Sequence, residues 1–112
     1  MPRFAILTHD HPFWHWDFLL EKEAALRAWR VLAAPDTPGP IAIEPLPDHR
    51  LIYLDYEGPV SGGRGEVRQW DAGDYEVVKE SETELIVELR GRRLNGQVRL
   101  MQIESGWIWQ RL

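Results

Sequence analysis

Residues 66–89 read EVRQWDAGDYEVVKESETELIVEL, and the fold class follows from this stretch. It contains three short runs rich in β-branched, aromatic and aliphatic residues: Glu66–Trp70, Tyr75–Glu80 and Glu84–Leu89. The runs are separated by residues 71–74 and 81–83, which have the composition of turns. Closely spaced short strands predict a mostly β fold, a small closed or partly open β-barrel with little helix.

The flanking sequence extends this pattern. We predict further strands at Arg3–Thr8 and His15–Glu21, and a hairpin in which Gln97–Ile103 and Trp107–Leu112 flank residues 104–106. Residues 33–47 hold five of the eight prolines, which predicts an ordered or semi-extended loop with a short strand at Ile41–Glu44.

The sequence leaves the secondary structure of two segments undecided. Residues 21–34 are good helix formers, so propensity alone favours a helix. The competing interpretation is a turn at Lys22–Ala24 followed by a strand through Trp29. Residues 50–57 could form one helical turn or a strand.

Composition fits one domain spanning residues 1–112, with 44% hydrophobic and 28% charged residues. The absence of cysteine excludes disulfides, thiolate zinc sites and cysteine nucleophiles. The net charge of −5 argues against broad electrostatic binding to duplex DNA or to an anionic membrane. We find neither a membrane-spanning apolar run nor a signal-peptide pattern, so we expect a cytoplasmic protein. We also expect a monomer.

Unusual chemistry is concentrated between residues 8 and 21, where three of the four histidines fall. In a strand from His15, the two-residue period places His15 and Asp17 on one face, towards a groove, and Trp16 and Phe18 on the core face. Pro12 breaks the strand, and a bend there could return His9 to the pair. Two imidazoles and one carboxylate suit Mn²⁺, Fe²⁺ or Zn²⁺. We therefore predict metal ligation by His9, His15 and Asp17, with His11 as an exposed neighbour.

A second cluster contains His49 and Tyr53, four residues apart. One helical turn would stack them on one face, where they could donate to a phosphate or transfer a proton. The alternative is a loop histidine beside a half-buried aromatic ring. The glycine-rich residues 58–65 lack the spacing of a phosphate-binding loop and fit a tight turn better. Four arginines, at 90, 92, 93 and 99, could form a basic patch but fit a solvated loop and strand face better.

Several motifs in register resemble the 3′-phosphoesterase domain of bacterial DNA ligase D, which also occurs as a stand-alone protein. They are, in order, His9-Asp10, His15-Trp16-Asp17-Phe18-Leu19-Leu20-Glu21, Asp48-His49-Arg50-Leu51-Ile52-Tyr53, Tyr56-Glu57-Gly58, Trp70-Asp71-Ala72-Gly73-Asp74-Tyr75, Leu94-Asn95-Gly96-Gln97-Val98-Arg99-Leu100 and Gly106-Trp107. The resemblance covers nearly the whole chain.

The resemblance implies a compact β-barrel with a groove along one side. It also implies a Mn²⁺-dependent hydrolase of DNA repair that removes a 3′-ribonucleoside or 3′-phosphate from the end of DNA or of an RNA–DNA primer. A separate ligase or polymerase of end joining would be a partner. By residue match, His9, His15 and Asp17 would bind the metal, and His49 and Tyr53 would contact the scissile phosphate or assist proton transfer.

Three positions depart from the family pattern. The family's arginine two residues after the ligand aspartate is Leu19 here, a family lysine aligns with Ala33, and a further arginine falls near Pro40 or Ile41. Arginine forks bind phosphate in bidentate fashion, so their loss weakens transition-state stabilisation. Arg50, Arg64 or Arg68 could substitute.

Two hypotheses follow, and a third ranks below them. The first is an active metal-dependent 3′-phosphoesterase. The second is a degenerate metal-binding module that binds nucleic-acid ends or a repair protein. A two-histidine, one-carboxylate iron oxygenase ranks low, because its second histidine usually lies far downstream of the His-x-Asp pair rather than before it.

Overall fold

A closed antiparallel β-barrel organises the chain in the computed structural model, which describes all residues from 1 to 112. The strands are β1 (Arg3–His9), β2 (His15–Lys22), β3 (Ala25–Val31), β4 (Ile41–His49), β5 (Gly58–Pro59), β6 (Glu66–Glu80), β7 (Glu84–Gly91), β8 (Asn95–Ile103) and β9 (Gly106–Arg111). They lie in the order β1-β2-β3-β4-β9-β8-β7-β6, and β1 pairs with β6 to close the ring. Two-residue β5 pairs with the start of β6. The predicted barrel is confirmed.

Strand periodicity sorts the apolar residues into two cores. Along β1, Phe4 and Ile6 point into the barrel, where they join a cluster of 16 buried residues that includes Phe18 and Trp109. Alternate residues point outwards and still become buried, because the segment after β4 crosses over this face of the barrel. That second cluster consists of Ala5, Leu7, Leu19, Leu26, Ala28, Leu54 and Val67. The candidate site lies beside this second core.

Residues 21–34 contain the end of β2, a turn at residues 23–24 and strand β3, so the interpretation from helix propensity is wrong and the competing turn and strand are confirmed. Glu23 has a positive φ of 57° in the turn that joins β2 to β3. In β3, Leu26 and Ala28 face the outer core while Trp29 and Val31 face the barrel interior. Burial on both faces of a paired strand therefore outweighs the good helix propensity of these residues.

The predicted short strand at Ile41–Glu44 extends to His49, although Pro45 and Pro47 lie within it. Only Ile41–Ile43 pair with β9, so the second half of β4 has a free edge. A proline without a backbone N–H is tolerated at such an edge. A single 3₁₀ turn, Leu51–Leu54, follows. No helix in this structure combines the length and apolarity needed to cross a membrane.

Residues 71–74 do not form the turn expected from their composition, because β6 runs unbroken through them. Asp71 is fully buried, and its carboxylate accepts hydrogen bonds from the backbone N–H groups of Ala72, Arg92, Arg93 and Leu94. Gly73 lies so close to β7 that a Cβ would collide with the Arg90 carbonyl oxygen. The aspartate and the glycine that suggested a turn therefore have other roles: Asp71 caps buried N–H groups, and Gly73 allows close contact between two strands.

We expect Asp71→Asn to lower the free energy of unfolding by about 1–3 kcal/mol. The amide would turn a donor towards a buried N–H group and would remove the charge from the remaining hydrogen bonds. Asp74→Asn on the same strand is the matched control. Its partner Arg90 is partly exposed, so solvent screens that ion pair and its loss should change the free energy of unfolding little. Urea denaturation of both variants measures the difference, and equal losses would contradict the role of Asp71 as a cap.

Candidate metal centre

The β1–β2 hairpin brings the histidines together. His9 ends β1 and lies directly opposite His15, the first residue of β2. Residues 10–14 form the bend between them, which contains Pro12. The backbone therefore folds back as the sequence predicts. In β2, Phe18 enters the barrel core and Trp16 packs partly buried against it, while His15 and Asp17 lie on the opposite face.

Asp17 lies between the two imidazoles. Its Oδ1 is 2.9 Å from His15 Nε2, and its Oδ2 is 3.0 Å from His9 Nδ1. One donor atom from each of the three residues lies within 4.8 Å of the others. His15 and Asp17 are only 1% and 3% exposed, so the group is shielded from bulk water.

Backbone carbonyls orient both rings. His15 Nδ1 donates to the Phe13 carbonyl at 2.8 Å, and His9 Nε2 donates to the Arg64 carbonyl at 2.8 Å. In the neutral tautomers set by these bonds, the remaining nitrogen of each ring directs a lone pair at the Asp17 carboxylate. Two lone pairs and an anion need a positive charge between them, either protons or a cation. The donor set therefore fits a divalent metal ion.

Without a metal, protons stabilise this arrangement. The hydrogen bond to Asp17 raises the pKa of His9 above its usual value, although burial opposes the shift. Burial alone would raise the pKa of Asp17, but the hydrogen bonds from His15 and His9 outweigh it and lower that pKa to about 2. Asp17 is therefore a carboxylate at neutral pH, while His9 retains a proton into a higher pH range than a free histidine.

We expect the metal-free protein to lose thermal stability as pH rises through the raised pKa of His9. The folded state holds this proton more tightly than the unfolded chain, so the stabilisation is complete below about pH 6.5 and is lost above the folded pKa. A metal competes with the same proton, so Mn²⁺ should raise Tm more at pH 8 than at pH 6. Calorimetry with and without Mn²⁺ measures both trends. A Mn²⁺ effect that does not depend on pH would contradict this assignment.

A groove of about 630 Å³ opens over the cluster. Its walls include His49 and Tyr53 together with His9, His15 and Asp17, so the two sequence clusters line the same groove. His49 is the last residue of β4 rather than part of a helix, and its ring centroid lies 6.0 Å from that of Tyr53. The Nδ1–H of His49 donates to the Pro47 carbonyl at 2.9 Å, which leaves Nε2 as an acceptor. His11 is exposed at the groove, as expected.

The positions that depart from the family pattern contribute no positive charge. Leu19 is fully buried in the second core, Ile41 lies in the barrel interior, Ala33 is partly buried and Pro40 is exposed. Of the substitutes considered from sequence, Arg50 and Arg64 line the groove. Arg68 pairs with Glu66 outside it. Arg30 also lines the groove, and sequence reasoning missed it.

The four arginines at positions 90, 92, 93 and 99 contact neighbouring side chains of the protein. Arg90 forms an ion pair with Asp74, Arg92 donates to Gln69, and Arg99 donates to Gln110. The Arg93 guanidinium lies 4.5 Å from the ring centroid of Trp70. Each charge thus has a local partner, in agreement with a solvated strand and loop face.

A β-barrel with an imidazole and carboxylate cluster in a lateral groove defines a class of domain that could hold a divalent metal ion. Comparison with known proteins identifies the family within this class. Residues 7–102 match the family model described as the DNA ligase D 3′-phosphoesterase domain. The chain belongs to this family.

Relatives of the chain include much longer proteins. The multifunctional non-homologous end joining protein LigD of Mycobacterium bovis is 31% identical over 121 residues, covering 97% of this chain. LigD of Pseudomonas aeruginosa is 29% identical over 111 residues, covering 89% of it. The aligned regions make up only 16% and 13% of those two relatives.

Proposed function

We propose that this chain is a divalent-metal-dependent phosphoesterase that removes a 3′-phosphate or a 3′-ribonucleoside from the end of DNA or of an RNA–DNA primer. The observation that carries the proposal is the convergence of His9, His15 and Asp17 in a groove that also contains His49 and Tyr53. Membership of the ligase D family supports the choice of substrate. Manganese is the metal we propose.

The residues divide the chemistry between them. His9, His15 and Asp17 would hold the metal, which would polarise a phosphoryl oxygen and lower the pKa of a bound water. In hydrolysis, the water oxygen attacks phosphorus, the bond from phosphorus to the leaving oxygen breaks, and that oxygen gains a proton. The leaving oxygen is the 3′ oxygen of the DNA when a 3′-phosphate is removed, and the 5′ oxygen of the departing ribonucleoside when a ribonucleoside is removed. With its free Nε2, His49 can take the proton from the water and return it to the leaving group. The Tyr53 hydroxyl can donate a hydrogen bond to the phosphoryl group.

The direct test incubates the purified chain with Mn²⁺ and a primer–template that ends in a 3′-phosphate. We expect release of inorganic phosphate, and we expect EDTA to abolish it. A parallel primer ending in one ribonucleotide tests the second activity. No product from either primer, with metal shown to be bound, would contradict catalysis and favour the degenerate binding module.

We expect His49→Gln to lower kcat by about 10²–10⁴-fold, because glutamine keeps a polar side chain but cannot transfer a proton at neutral pH. His11→Gln is the matched control, since His11 lines the same groove but is exposed and lies outside the cluster. Single-turnover rates of phosphate release at saturating Mn²⁺ measure both. Equal rates for His49→Gln and the unmodified chain would exclude His49 from proton transfer.

Three further features stay predictions: a monomeric state, a cytoplasmic location, and cooperation with a separate ligase or polymerase of end joining. The names of the relatives place those proteins in non-homologous end joining, which supports the last of them.

A further inference from the structure

Arg30 lies at the metal cluster because of strand pairing. On β3 it sits directly opposite Asp17 on β2, and paired residues of antiparallel strands project from the same face of the sheet. Its side chain is 23% exposed and lines the same groove as the three candidate ligands. The paired strand β3 therefore places the Arg30 side chain at the wall of the candidate metal centre.

The guanidinium of Arg30 is poorly satisfied within the protein. Its Nε–H is buried and has no hydrogen-bond acceptor. Its ion pair with half-exposed Glu44 is loose. Nη1 lies 3.6 Å from Glu44 Oε1, which is too long for a hydrogen bond. The central carbon lies 5.4 Å from the ring centroid of Phe13, so the ring holds the cation without using its N–H groups.

Other arginines near the groove differ in this respect. Arg64 donates from Nε and Nη2 to Ser61, and exposed Arg50 lies just before the 3₁₀ turn. Arg90 and Arg99 also carry an unbonded N–H group, but each has another donor committed to a neighbouring side chain of the barrel wall. Arg30 alone combines a groove position, a rigid backbone and free donors.

We propose that Arg30 binds the terminal 3′-phosphate, in place of the arginine that the family resemblance leads us to expect at the position of Leu19. The two terminal amino groups of a planar guanidinium can donate two parallel hydrogen bonds to a phosphate. The inference rests on the proposed function for its substrate. It moves the positive charge from β2 to the neighbouring strand β3, on the same side of the barrel.

The test measures binding separately from hydrolysis. Two DNA duplexes with a recessed 3′ strand, ending in phosphate or in hydroxyl, are titrated by fluorescence anisotropy in EDTA at low ionic strength. We expect the unmodified chain to prefer the 3′-phosphate end by about tenfold or more, as for a hydrogen-bonded charge pair. Arg30→Gln should abolish the preference, and Arg30→Lys should retain part of it because the charge remains.

Arg27→Gln is the matched control. Arg27 is on the same strand, pairs with Glu80 and does not line the groove, so its loss should leave the end preference unchanged. An unchanged preference in Arg30→Gln would overturn the proposal. So would an equal loss of affinity for both ends, which would indicate a contact with the DNA backbone instead.

A separate outcome distinguishes this proposal from the proposed function. If the unmodified chain releases no phosphate with Mn²⁺ but its end preference depends on Arg30, the phosphate-binding role stands and catalysis fails. If hydrolysis occurs and Arg30→Gln keeps both the end preference and the KM, catalysis stands and the role of Arg30 is wrong.

Discussion

Asp17→Asn should abolish metal binding and 3′-end hydrolysis together. The substitution keeps the size of the side chain but removes the negative charge between the two imidazoles. Changes to groups that only orient metal ligands cost about 10–100-fold in affinity, so loss of a charged ligand should cost at least a hundredfold. We expect hydrolysis to fall by about 10³-fold or more, which corresponds to roughly 4 kcal/mol of transition-state stabilisation.

Isothermal titration with Mn²⁺ measures the binding loss independently of activity. Asp48→Asn is the control, because Asp48 is an exposed carboxylate lining the same groove outside the three-residue cluster. It should bind Mn²⁺ as the unmodified chain does. Equal effects of the two substitutions would mean that the groove attracts cations only by general charge, and that His9, His15 and Asp17 do not form a specific site.

Leu19→Arg, which introduces the arginine expected from the family resemblance, should lower the stability of this chain rather than raise its activity. Leu19 is fully buried in the second core, packed with Leu7, Leu26 and Leu54. A cation without a partner in this cluster should cost about 3–5 kcal/mol in free energy of unfolding, a figure typical of a buried charge that has lost its pair. Thermal and urea unfolding measure the loss.

Leu19→Met provides the control, since a flexible apolar side chain of similar volume should cost less than about 1.5 kcal/mol. A Leu19→Arg variant that keeps full stability and gains hydrolytic activity would contradict this account. Such a result would mean that the groove of the natural chain lacks a phosphate contact, and it would favour the non-catalytic binding module over the enzyme.

The barrel and the ligand cluster were accessible from sequence for the same physical reason. A two-residue period fixes which side chains share a face of a strand, so His15 and Asp17 could be paired and Phe18 assigned to the core without coordinates. Pro12 marked the bend that returns His9. These local rules need no knowledge of how distant strands pair.

Features that depend on pairing between strands were missed. Arg30 is opposite Asp17 only because of the β2–β3 register, and a segment with high helix propensity gave no indication of that register. Asp71 resembles a turn residue, but it caps backbone N–H groups about 20 residues further along the chain. Neither contact leaves a periodic pattern in the sequence.

Two imidazoles and one carboxylate are proposed to hold a single divalent cation. The most direct measurement is anomalous diffraction from crystals grown with Mn²⁺. We predict one dominant peak within coordination distance of His9 Nδ1, His15 Nε2 and an Asp17 carboxylate oxygen. A peak located elsewhere, or no peak at full metal saturation of the crystal, would contradict the account.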